Sequence, residues 1–165
     1  MNGTFRVDVK KDYLSFSSAH FITFRGHKCE SLHGHNYRVG VSVEGVLDAE
    51  ALFVLDFAVL KEVTKPMVDA LDHRVLLPGR NSKVTIGHEG DRVLVTVFGE
   101  SRYVFPARDV AVLPVSNTTA EMLAEHFATE VRAALEAQRV AHLTLIEIEI
   151  EESPGQSATY RLPLR

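Results

Sequence analysis

His33-Gly34-His35 sets two imidazoles two residues apart. On a strand, residues i and i+2 point to the same side, so both rings can face one ion. A third imidazole, His20, closes the run Phe16-Ser17-Ser18-Ala19-His20. If the strand ending there pairs with the one starting at His33, all three meet at one end of the pair. Three neutral nitrogens without a fourth protein ligand describe a catalytic zinc site with an open position. Read alone, His-x-His is equally a pair of hydrogen-bonded structural histidines. A structural zinc site of the usual thiolate kind is excluded, because Cys29 is the only cysteine. Cys29 lies on the loop entering the metal strand. It reads either as a small buried hydrophobe or as a general base whose thiol pKa is lowered by His27, Lys28 and a nearby metal.

Asp72-His73 follows a helical stretch directly. It is either a helix C-terminus where a histidine meets the dipole, or a pair in which Asp72 orients His73 for proton relay. Counting by twos, Ile146, Ile148, Ile150 and Glu152 share one strand face, while Glu147, Glu149 and Glu151 take the solvent face. A carboxylate ending a core-facing row needs a partner. Glu152 reads as a grip for a planar donor pair, such as the N–H edge of a guanine-like or pterin ring, or as a solvated residue past the strand end. Thr118 and Thr119 open a second helix, where they can cap it and offer hydroxyls or backbone N–H groups to a ligand.

The elements that must position these groups follow from the hydropathy pattern. Phe5-Arg6-Val7-Asp8-Val9 alternates with period two, and Tyr13 to His20 reads as a second extended run. Tyr37 to Glu44 is a half-buried antiparallel strand with Tyr37, Val39, Val41 and Val43 inward; its phase carried backwards puts His35 and His33 on the same inward face. Asp56 is the predicted N-cap of a helix bearing Ala58, Leu60, Val63, Met67 and Leu71, which Pro66 should kink or shorten. Between Pro78 and Pro114 short β-like runs (Val84-Ile86, Val93-Phe98, Tyr103-Phe105) alternate with turns at Glu89-Gly90-Asp91 and Gly99-Glu100-Ser101. This is a strand-rich insertion, too short to bury a core of its own. Thr118 to Glu121 matches a capping box, followed by Leu123, Ala124, Phe127, Val131 and Leu135. Leu143 to Glu151 is the final predicted strand.

A chain of 165 residues, 45% hydrophobic and 24% charged, reads as one globular domain over 1–165. Such a length buries roughly 70% of its unfolded surface, enough for a core without disulfides. A net charge of −4 gives no long-range attraction for nucleic acid or an anionic membrane surface. The opening stretch Met1 to Lys10 lacks the apolar segment of a secretory signal, no run approaches the roughly 20 apolar residues of a membrane helix, and one free cysteine suits a reducing cytosol. A cytoplasmic location is the expectation.

Taken together, Phe16-Ser17-Ser18-Ala19-His20, Gly26-His27-Lys28-Cys29-Glu30-Ser31-Leu32-His33-Gly34-His35-Asn36-Tyr37, Leu71-Asp72-His73, Asn117-Thr118-Thr119-Ala120-Glu121 and Glu152 resemble the 6-pyruvoyltetrahydropterin synthase / 6-carboxytetrahydropterin synthase family. The resemblance implies an α+β T-fold: an antiparallel sheet with two helices packed on one face, here with the extra strand-rich insertion at about 80–112. It implies trimers stacked as a homohexamer, with active sites at subunit interfaces. His20, His33 and His35 would bind Zn2+, Cys29 would abstract a proton, Asp72 and His73 would relay it, and Glu152 with Thr118 and Thr119 would anchor the pterin. The implied substrate is 7,8-dihydroneopterin triphosphate, with Arg25, His27, Lys28 and Arg74 as candidate phosphate contacts. The spacing from Cys29 to His33 resembles the 6-carboxy branch, which releases acetaldehyde as well as triphosphate and feeds queuosine and other 7-deazapurines. The 6-pyruvoyl branch shares the same residues. Glu30, beside Cys29, resembles the branch that cleaves the side chain to 6-hydroxymethyldihydropterin. From another class, the chain could be a non-catalytic pterin- or purine-binding homologue.

Overall fold

The computed structural model describes residues 3–138 and 140–164, so Met1 and Asn2 of the opening stretch lie outside the described residues. The two predicted N-terminal runs form one strand, β1 (Phe5–His20), antiparallel to β2 (His33–Gly45). The register shifts between Lys10 and Ser15, and the shift has a consequence for the site. Before it Val9 is the buried residue; after it Leu14, Phe16, Ser18 and His20 are. An odd number of extra residues exchanges the two faces of a strand, and this one turns His20 inward.

β8 (Leu143–Ser153) pairs with the far side of β2, and β9 (Gln156–Pro163) follows it through a turn at Gly155, φ +81°. Leu143 to Glu151 is therefore not the last strand. β9 escapes a pattern reading because its residues are only half-buried on alternate positions. On the other flank β3 (Arg74–Pro78) runs parallel to the end of β1, and β7 (Val110–Leu113) runs parallel to β3. The order is β7-β3-β1-β2-β8-β9, antiparallel through its four long strands and parallel at this edge.

Two helices cover one face, α1 (Phe57–Leu71) and α2 (Ala120–Glu136). Their buried residues, among them Leu60, Val68, Leu123, Phe127 and Val131, enter one core with Val39, Val41, Ile146 and Ile148. Asp56 caps α1 as predicted, its carboxylate accepting from the Ala58 N–H at 2.8 Å. Pro66 does not shorten the helix, which continues to Leu71. The carbonyl that loses its partner to the proline belongs to Glu62, and both residues are exposed, so water can replace the missing bond. On the opposite sheet face the glutamates of β8 meet cations as their alternation requires: Arg6 pairs with Glu147 and Lys10 with Glu149.

The insertion forms its own three-stranded antiparallel sheet, β4 (Val84–Glu89), β5 (Arg92–Val97) and β6 (Glu100–Pro106). Phe98 and Gly99 make the β5–β6 turn, both with positive φ, one residue earlier than the predicted Gly99-Glu100-Ser101 turn. This sheet does borrow its core: Val93, Val95 and Val97 pack on Phe21 and Leu77 of the main body, with Cys29 and Leu32 at the margin. Among the described residues no helix is long and apolar enough to cross a membrane.

Candidate active site

The β1–β2 ladder sets His20 directly opposite His33. His35 follows on the same side, and one ligand atom from each of the three rings lies within 4.8 Å of the others. At Gly34, between the two β2 histidines, the β1 backbone comes close: a Cβ there would stand 3.2 Å from the Ser18 carbonyl oxygen.

Hydrogen bonds decide what these rings can offer. His20 Nδ1 lies 2.8 Å from the Thr118 carbonyl oxygen, and His33 Nδ1 lies 2.9 Å from that of Ser31. A carbonyl only accepts, so each Nδ1 carries a proton, and in the neutral form of each ring it is Nε2 that keeps a lone pair. His20 Nε2 is buried without a hydrogen-bond partner. Glu152 Oε1 stands 3.4 Å from it and 3.5 Å from His35 Nε2. A bare imidazole nitrogen facing a carboxylate repels it unless a cation or proton lies between them. Burial, reinforced by the other two histidines, pushes the His20 pKa down, against the Thr118 carbonyl and Glu152. The ring is thus neutral, as a metal ligand must be. The orphaned nitrogen and the three-imidazole donor set fit a metal ion, with Glu152 placed where charge would be needed.

Beneath the rings lies Tyr37, fully buried, stacked on Phe16 at 4.8 Å and meeting His20 and His35 edge-on at 5.9 and 5.6 Å. Burial first, and then the Glu152 charge, pushes its phenol well above the usual tyrosine range, so it remains a neutral O–H. The sequence pattern marks Tyr37 as a core residue and carries no sign that it floors the cluster.

The two threonines divide their tasks differently from the predicted capping box. Thr119, not Thr118, is the N-cap of α2, its hydroxyl accepting from the Met122 N–H at 3.3 Å. Thr118 is buried, and its hydroxyl donates to the Phe21 carbonyl at 2.8 Å while its own carbonyl holds His20. The offset moves Glu121 from the third to the second position of the first helical turn. There it lines a cleft of about 260 Å³ with Thr119, Glu152, Ile22 and three β9 residues, Gln156, Ser157 and Ala158. The β9 contributors were invisible without β9 itself, and an acidic first helical turn is the one signal that could have pointed to Glu121.

Asp72 is the C-cap of α1, in an extended conformation. One of its oxygens accepts from the Ser17 N–H at 2.8 Å and the other lies 2.8 Å from His73 Nδ1. That backbone bond is the main cause holding its carboxyl below the usual range. Asp72 thus ends the helix, as one sequence reading expected, and also contacts His73, as the other required. The pair lies against the backbone of Ser17, and His73 borders a cleft of about 490 Å³ with Ser17, Gly34, His35, Asn36 and Arg74. Nothing ties either residue to Cys29 within the chain among the described contacts.

Cys29 sits in a small hairpin-like loop where it bridges Thr23; the tip is Gly26-His27, both at positive φ. The expected lowering of its pKa by His27 and Lys28 does not occur. Both are exposed at the tip, the His27 ring lying against Phe98 at 5.0 Å. Burial pushes the thiol up, the Glu30 charge adds to this, and the opposing cation is Arg102 of the insertion. Glu30 Oε2 is buried without a hydrogen bond, 3.8 Å from His33 Nδ1.

A T-fold subunit with a three-histidine cluster at the end of its first strand pair defines the class. The family model described as 6-pyruvoyl tetrahydropterin synthase matches residues 9–163, and the chain belongs to that family. A Methanocaldococcus jannaschii protein provisionally named 6-carboxy-5,6,7,8-tetrahydropterin synthase is 38% identical, covering 90% of each chain. Among solved structures, Plasmodium falciparum 6-pyruvoyl tetrahydropterin synthase superimposes with a TM-score of 0.91 at 30% identity, covering 99% of this chain and 100% of that one. A Plasmodium vivax 6-pyruvoyltetrahydropterin synthase, solved as a variant at a catalytic glutamate, gives 0.90 at 29% identity, covering 98% and 99%.

Proposed function

We propose that this protein is a zinc-dependent pterin lyase that converts 7,8-dihydroneopterin triphosphate into 6-carboxy-5,6,7,8-tetrahydropterin, releasing acetaldehyde and triphosphate, in the cytoplasmic supply of queuosine and other 7-deazapurines. The observation that carries the reading is the His20, His33 and His35 cluster, with its orphaned nitrogen, in a chain of this family. The three histidines hold zinc, which supplies Lewis-acid polarisation of the substrate's side-chain oxygens. Cys29 accepts the proton released from carbon. Glu152 and Thr119 bind the pterin, with Thr118 behind them fixing the His20 tautomer. Asp72 and His73 pass protons across a subunit boundary in a homohexamer, a placement supported by their lack of contact with Cys29 within one chain and by the unpaired outer edges of β7 and β9. The test is incubation of zinc-loaded protein with the triphosphate and mass analysis of the products. The 6-carboxy product with acetaldehyde is expected; a retained three-carbon side chain would transfer the reading to the 6-pyruvoyl branch, and absence of turnover with zinc bound would favour a binding protein. Sedimentation at the monomer mass would remove the hexamer.

Glu30 favours a second reading. Its buried, unpartnered oxygen beside His33, together with a relative whose catalytic residue is a glutamate, supports formation of 6-hydroxymethyldihydropterin. Under that reading Glu30→Gln abolishes this product and Cys29→Ala leaves it.

A further inference from the structure

Two cations of the insertion reach the loop that carries Cys29: Lys83 Nζ donates to the Phe24 carbonyl at 2.9 Å, and Arg102 reaches the backbone beside the thiol. Arg102 lies on β6, its Nε donating to the Tyr103 hydroxyl at 3.1 Å and its guanidinium resting over the Tyr103 ring at 5.5 Å. Its Nη2 donates to the Glu30 carbonyl oxygen at 3.4 Å. The Cys29 thiol donates to the same oxygen at 3.3 Å. A single acceptor therefore gathers a thiol and a guanidinium from elements far apart in sequence.

We propose that Arg102 is a positioning residue of the active site, the counter-ion that faces the Cys29 thiolate and keeps the Glu30 carbonyl satisfied when the thiol gives up its proton. When Cys29 ionises, its S–H···O bond is lost and a sulfur lone pair faces a carbonyl oxygen. That arrangement is repulsive unless a donor stands between them. Arg102 already bonds the oxygen, cannot deprotonate, and has further N–H groups to turn toward sulfur. The groups near the thiol leave it this role: the apolar cluster at whose margin Cys29 packs carries no charge, Glu30 of the thiol's own loop opposes ionisation, and Arg102 of β6 is the cation. The tyrosine face beneath the guanidinium limits the directions it can take.

The inference rests on the reading of Cys29 as the base, but its test does not use turnover. Because Cys29 is the only cysteine, the rate of alkylation by iodoacetamide against pH reports this thiol alone. Zinc-loaded Arg102→Gln retains a donor without charge, and its alkylation midpoint should move up by about one pH unit, so that alkylation near neutral pH slows about tenfold. Arg102→Lys should stay close to the unmodified profile. A Gln profile that superimposes on the unmodified one, or a Lys profile displaced as far as that of Gln, overturns the proposal. Failure of the base reading would show separately, as undiminished turnover by Cys29→Ala.

Discussion

The three-histidine cluster and the thiol lie at neighbouring places but are held by different kinds of structure. His20, His33 and His35 belong to paired strands in the middle of a six-stranded sheet, and ladder hydrogen bonds fix their register to the residue. Cys29 belongs to a loop held by one isolated bridge, by hydrogen bonds from Asn81, Lys83 and Asn117 to Thr23 and Phe24, and by the borrowed core of the three-stranded insertion. A ladder can hold three ligands that must converge on one point. A loop backed by a separate sheet can change the reactivity of one group without disturbing that convergence. If this division is right, metal content and reactivity come apart under mutation.

The largest effect is expected where the ladder itself supplies the ligand. His33→Ala removes one of three nitrogens, so bound zinc should fall with turnover, the latter by about a thousandfold or more when Lewis-acid help is lost. Metal analysis beside a rate assay checks both. Cys29→Ala makes the contrast: turnover should drop about a hundredfold to ten-thousandfold, the range of general-base catalysis, with zinc retained. Zinc lost equally from both variants would erase the distinction between the regions.

A smaller perturbation acts on the support of the loop. Val95 is fully buried in the second core, against Phe21 and Leu77. Val95→Ala should destabilise the protein by about 1–3 kcal/mol in denaturant titration. Turnover should suffer more than zinc content, because the insertion packs against Cys29 and meets β1 only past its end, at Phe21, outside the paired residues of the β1–β2 ladder. Loss of zinc in step with turnover would mean the two sheets act as one body.

The same division explains what could be read from the sequence. Period-two alternation through His33, His35 and Tyr37, and a run ending at His20, were enough to bring three imidazoles together, because strand geometry maps spacing onto faces. The odd register shift that turns His20 inward was not legible, since no residue between Lys10 and Ser15 marks it. β3 and β7, of 5 and 4 residues, are too short for a periodic signal. The Arg102 contact with Glu30 spans 72 positions, and no local pattern encodes it. Two adjacent threonines offer the same chemistry for a helix cap, and the long-range bond from the Thr118 hydroxyl to the Phe21 carbonyl leaves the cap to Thr119.

Acidity should weaken the ladder-held region through His20. Burial depresses its folded pKa below the unfolded value of about 6.5, so between the two the unfolded chain binds more protons. Stability of the metal-free protein is then fully present above about pH 6.5 and falls as the pH drops toward the depressed value. Denaturant midpoints at pH 7.5 and 5.5 should differ in that sense, and His20→Gln should reduce the difference. An unchanged slope in the variant would place the acid sensitivity elsewhere.

The smallest effect tests the boundary between the regions, at the start of α2. Thr119→Ala removes the hydroxyl that caps the Met122 N–H, a loss of about 1 kcal/mol. It should leave zinc untouched and weaken pterin binding, because Thr119 lines the cleft with Glu152. Thr118→Val keeps the shape but deletes the bond to the Phe21 carbonyl, leaving a buried acceptor unpaired. Since the Thr118 carbonyl fixes the His20 tautomer, that variant should lose zinc affinity while Thr119→Ala does not. Competitive chelation measures both. If the two variants hold zinc alike, the Thr118 carbonyl keeps its place without the side chain, and the tautomer of His20 is secured by the backbone just ahead of α2 alone.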